Sequence, residues 1–167
     1  NAGSGDQFGI AMALDGDTLV VGAAFEDSNS TGVNGIENNN TRGNSGAVYV
    51  FVRSNGMWSQ QAYLKASNTD SNDFFGFSVD IDGDTIVVGA LQEDSSASGV
   101  DGDQTNNTLG NSGAAYIFVR VGTVWSQEAY LKASNPQDLA RFGASVAISG
   151  DTVVIGANTE SSNATGV

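Results

Sequence analysis

The side chains with chemistry to offer in this 167-residue chain are oxygen donors, because there is no His and no Cys. That absence removes the common nucleophile–base pairs and the nitrogen and sulfur ligand sets of zinc. What remains is a short pattern, Asp27-Ser28-Asn29-Ser30-Thr31-Gly32, which sets side-chain oxygens at alternate positions ahead of a glycine. Hard oxygen ligands that converge before a glycine bend are the chemistry of a calcium loop. Asp27, Asn29 and Thr31 are therefore candidate metal ligands. Asp94, Ser96 and Ser98 ahead of Gly99 form a second set, and Ser161, Asn163 and Thr165 ahead of Gly166 a weaker third. Glu26, Glu93 and Glu160 precede the pattern and are in position to add a carboxylate. Asn38 and Thr105 occupy the position where an EF-hand has its bidentate Glu, so the pattern is not an EF-hand. The same residues also read as a polar loop held by Asx-type hydrogen bonds.

Asp80, Asp82 and Asp84 make the densest carboxylate cluster, and two neighbouring carboxylates are the equipment of glycoside hydrolysis. Ala13 and Ala147 stand where the repeat described below has Asp80, so no catalytic residue is assigned and a glycan-acting enzyme is the remotest reading. Asp17, Asp84 and Asp151 each follow a turn glycine and are expected to accept backbone hydrogen bonds within that turn. Trp58, Trp125, Tyr63 and Tyr130 are expected to pack between sheets rather than to stack on a sugar. Arg53, Arg120, Lys65 and Lys132 are expected to form ion pairs. No phosphate-cradling Gly-rich loop with a Lys and no Gly-x-Ser-x-Gly elbow is present.

Six Lys and Arg against 19 Asp and Glu leave a net charge of -13, which disfavours nucleic acid and anionic membranes as partners. No run approaches the roughly 18 apolar residues of a membrane span. With 40% hydrophobic and 15% charged residues the composition is that of a folded domain. Asn29, Asn39, Asn106 and Asn163 begin Asn-x-Ser/Thr sequons, in a chain rich in Asn and Thr throughout.

The elements that position these residues repeat. Phe8-Gly9, Phe75-Gly76 and Phe142-Gly143 recur at a spacing of 67, as do Val21-Gly22-Ala23, Val88-Gly89-Ala90 and Ile155-Gly156-Ala157. Residues 1–67 and 68–134 are identical at 40 of 67 positions without a gap. The units are thus 1–67, 68–134 and 135–167, the last only half the length of the others. Within a unit the apolar pattern has period two, which predicts four strands and no amphipathic helix. Phe8, Ile10, Met12 and Leu14 alternate with small residues, and Asp15-Gly16 supplies a hairpin turn. Leu19-Val20-Val21 and Ala47 to Val52 are apolar on both faces and belong inside a covered sheet. Trp58, Ala62, Leu64 and Ala66 alternate with Ser59, Gln61, Tyr63 and Lys65, predicting an edge strand with one polar face. The long connection at 24–45 is the place for function. An all-β fold of four-stranded antiparallel β-propeller blades follows, an incomplete propeller of about two and a half repeats.

Phe-Gly opening the first strand and Val-Gly-Ala closing the second resemble the FG-GAP repeat of integrin α-subunit propellers and of bacterial extracellular proteins. The resemblance spans the chain at the three sets of positions above. It implies a non-catalytic extracellular or cell-surface module, and the length and polarity of the long loops make them the expected place for a protein or glycan ligand, with calcium at their oxygen pattern as the expected stiffening cation. The structural alternative is a repeat of a surface fibre, sheath or large ectodomain, whose partners are the remaining blades of the same protein or other copies of the chain. The Asp-rich cation loop that integrin-type repeats carry between strands one and two is here only the tight Asp15-Gly16-Asp17 turn, so that site does not carry over.

Overall fold

The computed structural model describes residues 3–161, which form ten β-strands and no helix. β1 (Ala11–Asp15), β2 (Thr18–Ala23), β3 (Ala47–Ser54) and β4 (Met57–Leu64) make one antiparallel sheet in chain order. β5 (Phe75–Asp82), β6 (Thr85–Ala90), β7 (Ala114–Val121) and β8 (Val124–Leu131) repeat it, and β9 (Phe142–Ser149) with β10 (Thr152–Ala157) pair as the opening hairpin of a third. These are blades of an unclosed β-propeller, and each is joined to the next by one parallel bridge, Gly46 to Phe75 and Gly113 to Phe142. The hairpins turn on Gly16, Gly83 and Gly150, whose φ angles of +53°, +58° and +55° a β-carbon would resist.

Burial follows from stacking. Val20, Val48, Val50 and Leu64 of the first blade share one core with Phe75, Val79, Phe118 and Trp125 of the second. The two repeated glycine motifs meet at this junction. A β-carbon on Gly22 would lie 2.0 Å from the carbonyl oxygen of Gly76, and one on Gly89 would lie 2.0 Å from that of Gly143. The Gly of Val-Gly-Ala in one blade and the Gly of Phe-Gly in the next are therefore two halves of one backbone contact that admits no side chain.

Two strands depart from simple alternation. β5 opens with a register jump: Phe75 opposes Ala90, but Ser78 opposes Gly89, with Gly76 at φ +86° between them. The extra residues turn Phe77 away from the face of Phe75, Val79 and Ile81. In the first blade the regular strand starts only at Ala11, not at Phe8, and Gly9 has φ +94°. The fourth strand carries a bulge as well. Ala62 opposes Val50 while Gln60 opposes Phe51, so Gln61 is the unpaired extra residue, and Glu128 repeats this in β8. A single extra residue reverses facing for everything after it. The polar face expected for Tyr63 and Lys65 is accordingly buried, and only the first half of β4 is exposed.

Candidate functional site

Past the bulge, Lys65 enters the blade interior and meets the end of β2. Its Nζ lies 3.0 Å from Glu26 Oε2 and donates to Ser45 Oγ at 2.7 Å, with both charged side chains fully buried. Lys132 makes the same pair with Glu93 at 2.7 Å and reaches Ser112 Oγ at 2.6 Å. Each Glu also accepts a backbone N–H, from Ser28 at 3.0 Å or Ser95 at 3.1 Å. Tyr130 Oη and Asn68 Nδ2 both donate to Glu93 Oε1 at 2.9 Å. Burial lowers the pKa of both lysines, and the facing glutamates oppose that shift. Glu26 and Glu93, read from sequence as potential metal ligands, are thus the anions of internal ion pairs. These pairs clamp the root of each long loop to the edge strand.

The surface charges tie strands and blades together. Arg53 Nη2 pairs with Asp17 at 2.8 Å and Arg120 Nη2 with Asp84 at 2.7 Å, so these carboxylates serve arginines of the same blade rather than their own turns. Asp80 Oδ2 accepts the N–H of Ile148, and Asp82 Oδ2 that of Gly150, in the next blade. Asp15 Oδ2 does the same for Gly83 at 2.8 Å. Two of the three carboxylates of the densest cluster, Asp80 and Asp82, are therefore joinery between blades. Trp125 is buried at the junction and donates through Nε1 to Gln61 Oε1 of the preceding blade at 2.8 Å, whereas Trp58 is 45% exposed.

The candidate metal ligands lie on the two long loops. Asp27 Oδ1 accepts the N–H of Asn44 at 2.7 Å, and Asp94 Oδ1 that of Asn111 at 2.6 Å, both Asn residues in left-handed conformation. Asn39 Oδ1 accepts the N–H of Asn29, and Asn106 Oδ1 caps both the N–H and the hydroxyl of Ser96. Thr31 and Ser98 are exposed. Each set of three thus holds one carboxylate, already engaged with backbone, and among the described residues no three His, Cys, Asp or Glu gather as a ligand set. Asn163 and Thr165 of the third set lie outside the described residues.

Between the two loops and the connection that links the blades lies an open polar cleft of about 700 Å³. Arg42 reaches into its wall, donating through Nη1 to Asp70 Oδ1 at 2.8 Å and to the Thr69 carbonyl at 3.0 Å. Asn107 of the second loop donates to Asp70 Oδ2 at 2.6 Å, so Asp70 bridges both loops. Ser67 donates to Gln104, and Asp103 accepts from the hydroxyl and the N–H of Thr105, bonds that lower its pKa. Behind the wall, Asp73 is buried and accepts the Asp70 N–H at 2.8 Å. Burial raises its pKa to about 8, the hydrogen bond acting against that and the charge of Glu93 adding to it. Arg42 and Asn107 were not singled out by the sequence, because Arg42 does not recur and Asn107 is one Asn among many.

A family model described as the FG-GAP repeat matches residues 1–51, 58–118 and 125–166. The chain belongs to the FG-GAP repeat family. No curated protein matches it. FG-GAP repeats occur in extracellular adhesion-type β-propeller modules, and the family is typically non-catalytic. The family's two glycine motifs have a physical origin in this FG-GAP protein, since they are the sites where successive blades touch backbone to backbone. Among the described residues no helix is long and apolar enough to cross a membrane.

Proposed function

We propose that this FG-GAP protein is a non-catalytic extracellular binding module whose ligand, a glycan or a polar protein segment, lies in the cleft between the long loops of neighbouring blades. The observation that supports the reading is the cleft itself: about 700 Å³ walled by hydroxyls, side-chain amides, Arg42, Asp70 and Asp103. A concave site dense in such groups suits a ligand rich in hydroxyls or amides, which would exchange its water for these donors and acceptors. Buried Lys–Glu pairs at the loop roots hold the walls in place before a ligand arrives. The test is a screen of the purified chain against immobilised glycans and extracellular-matrix proteins. Hits are expected to be lost on Arg42→Ala and on Asp103→Ala. Hits that survive both changes refute the cleft as the site.

Calcium belongs to the same proposal. Asp27, Asn29 and Thr31, with Asp94, Ser96 and Ser98, offer the hard oxygens this cation takes, at loops whose shape sets the width of the cleft. Millimolar calcium is expected to raise Tm, with reversal by a chelator. An unchanged Tm removes the cation and leaves the cleft.

A further inference from the structure

We propose that Lys132 and Asn68 become joined by an isopeptide bond that the chain forms on itself, with Glu93 carrying the protons. The three groups meet around one carboxylate. Lys132 Nζ lies 2.7 Å from Glu93 Oε2, and Asn68 Nδ2 donates to Glu93 Oε1 at 2.9 Å. Tyr116 Oη donates to Asn68 Oδ1 at 2.7 Å, and Tyr130 Oη donates to Glu93 Oε1 at 2.9 Å. An amine and a carboxamide are thus held on the two oxygens of one acid, and a phenol already polarises the amide carbonyl. Lys132, Glu93, Tyr116 and Tyr130 are buried and Asn68 half-buried, which keeps competing water from the amide. Burial lowers the pKa of Lys132 against the opposing charge of Glu93, bringing the neutral amine, the form that attacks, within reach.

The step balances within this group of residues. Lys132 gives a proton to Glu93 Oε2, and the freed lone pair of Nζ forms a bond to Asn68 Cγ. The carbonyl electron pair moves onto Oδ1, where the Tyr116 hydroxyl stabilises it. Glu93 Oε1, already in contact with Nδ2, protonates that nitrogen; the Cγ–Nδ2 bond breaks and ammonia leaves. Of the three ammonium protons of Lys132, one stays on the new amide nitrogen, one departs with the ammonia and one remains on Glu93, whose neutral form suits its burial. No oxidant or co-reactant is consumed. The reaction is a single event within the chain and turns over no other substrate, so the module remains non-catalytic. Its product has a structural use: Asn68 precedes β5 and Lys132 follows β8, so the bond ties together the two ends of one blade. In a chain without Cys, that covalent closure constrains the unfolded state as a disulfide does. Asn1 and Asn135 stand at the position of Asn68 in the neighbouring repeats; Asn1 lies outside the described residues.

Mass spectrometry of the denatured wild-type protein is the test, because a covalent bond survives unfolding. The protein is expected to be lighter than its sequence by the mass of ammonia, and a tryptic digest should yield the segment containing Asn68 linked to the segment containing Lys132, with no cleavage after Lys132. Asn68→Ala removes the electrophile at a half-buried position and is expected to abolish the linked peptide. Glu93→Gln keeps the shape of the side chain but cannot carry the protons, and is expected to leave both segments unlinked. The wild-type digest decides by itself if either variant fails to fold. Full mass with cleavage after Lys132 overturns the proposal. So does a loss of ammonia confined to the Asn68 segment, which is cyclisation of Asn68 onto its own backbone. A linked peptide formed equally well in Glu93→Gln overturns it too, since the acid would then have no part in the chemistry.

Discussion

Replacing Lys65 by Met keeps the length of the side chain and removes its charge. Glu26 then stays fully buried without the cation 3.0 Å away. At that separation and an effective dielectric constant of about 20, the lost attraction is of the order of 5 kcal/mol. Removing one partner of a buried pair costs about 3–5 kcal/mol, because the remaining charge has no compensation. Lys65→Met is therefore expected to lower the free energy of unfolding by about that amount, a large share of the stability of a small domain. The double variant Lys65→Met with Glu26→Leu removes both charges and should recover most of the loss, since an apolar replacement of a whole pair is often neutral. Equilibrium urea unfolding of the wild type, the single and the double variant measures both terms, and Lys132→Met with Glu93→Leu repeats the experiment one blade on. A single-variant loss below about 1 kcal/mol, the value of an exposed pair, would refute the reasoning. So would a double variant less stable than the single one.

Asp73 has a folded-state pKa of about 8 against an ordinary value of 3.8, so the fold favours its protonated form. Its contribution is complete below pH 4 and is lost as pH rises towards 8, by at most about 1.4 kcal/mol per unit. Asp73→Asn should flatten the pH dependence of urea stability in that window relative to wild type, and parallel curves would count against the burial argument. Trp125→Ala empties a filled junction and is expected to cost about 3–5 kcal/mol. The same change at Trp58, which is largely exposed, should cost under about 1 kcal/mol by the same assay, and equal losses would contradict the blade packing.

Much of the fold is legible in the residues because a repeat multiplies every local signal. Alternation, the Asp15-Gly16 and Asp82-Gly83 turns and the doubly apolar second and third strands each occur more than once in fixed register, and the strands form there. The ion pairs expected for Arg53, Arg120, Lys65 and Lys132 are also present. Their partners were not legible, nor was the burial of the lysines. Period-two reading assumes an unbroken ladder, and the unpaired Gln61 and Glu128 break it. From that residue onward Tyr63 and Lys65 change sides, and a side chain that reads as solvated becomes the centre of the blade.

By itself, the amino-acid order determined the repeat length, the strand count per unit, the tight turns and the need of each sheet for neighbours. All of these arise from contacts close along the chain or from composition. The tertiary structure alone decided which oxygen meets which nitrogen. Glu26 and Lys65 are 39 positions apart and Asp70 and Asn107 are 37 apart, and no local rule couples such distances. The cleft belongs to neither blade alone, because its walls come from two loops and the connection between them. It exists only once stacking has brought them side by side.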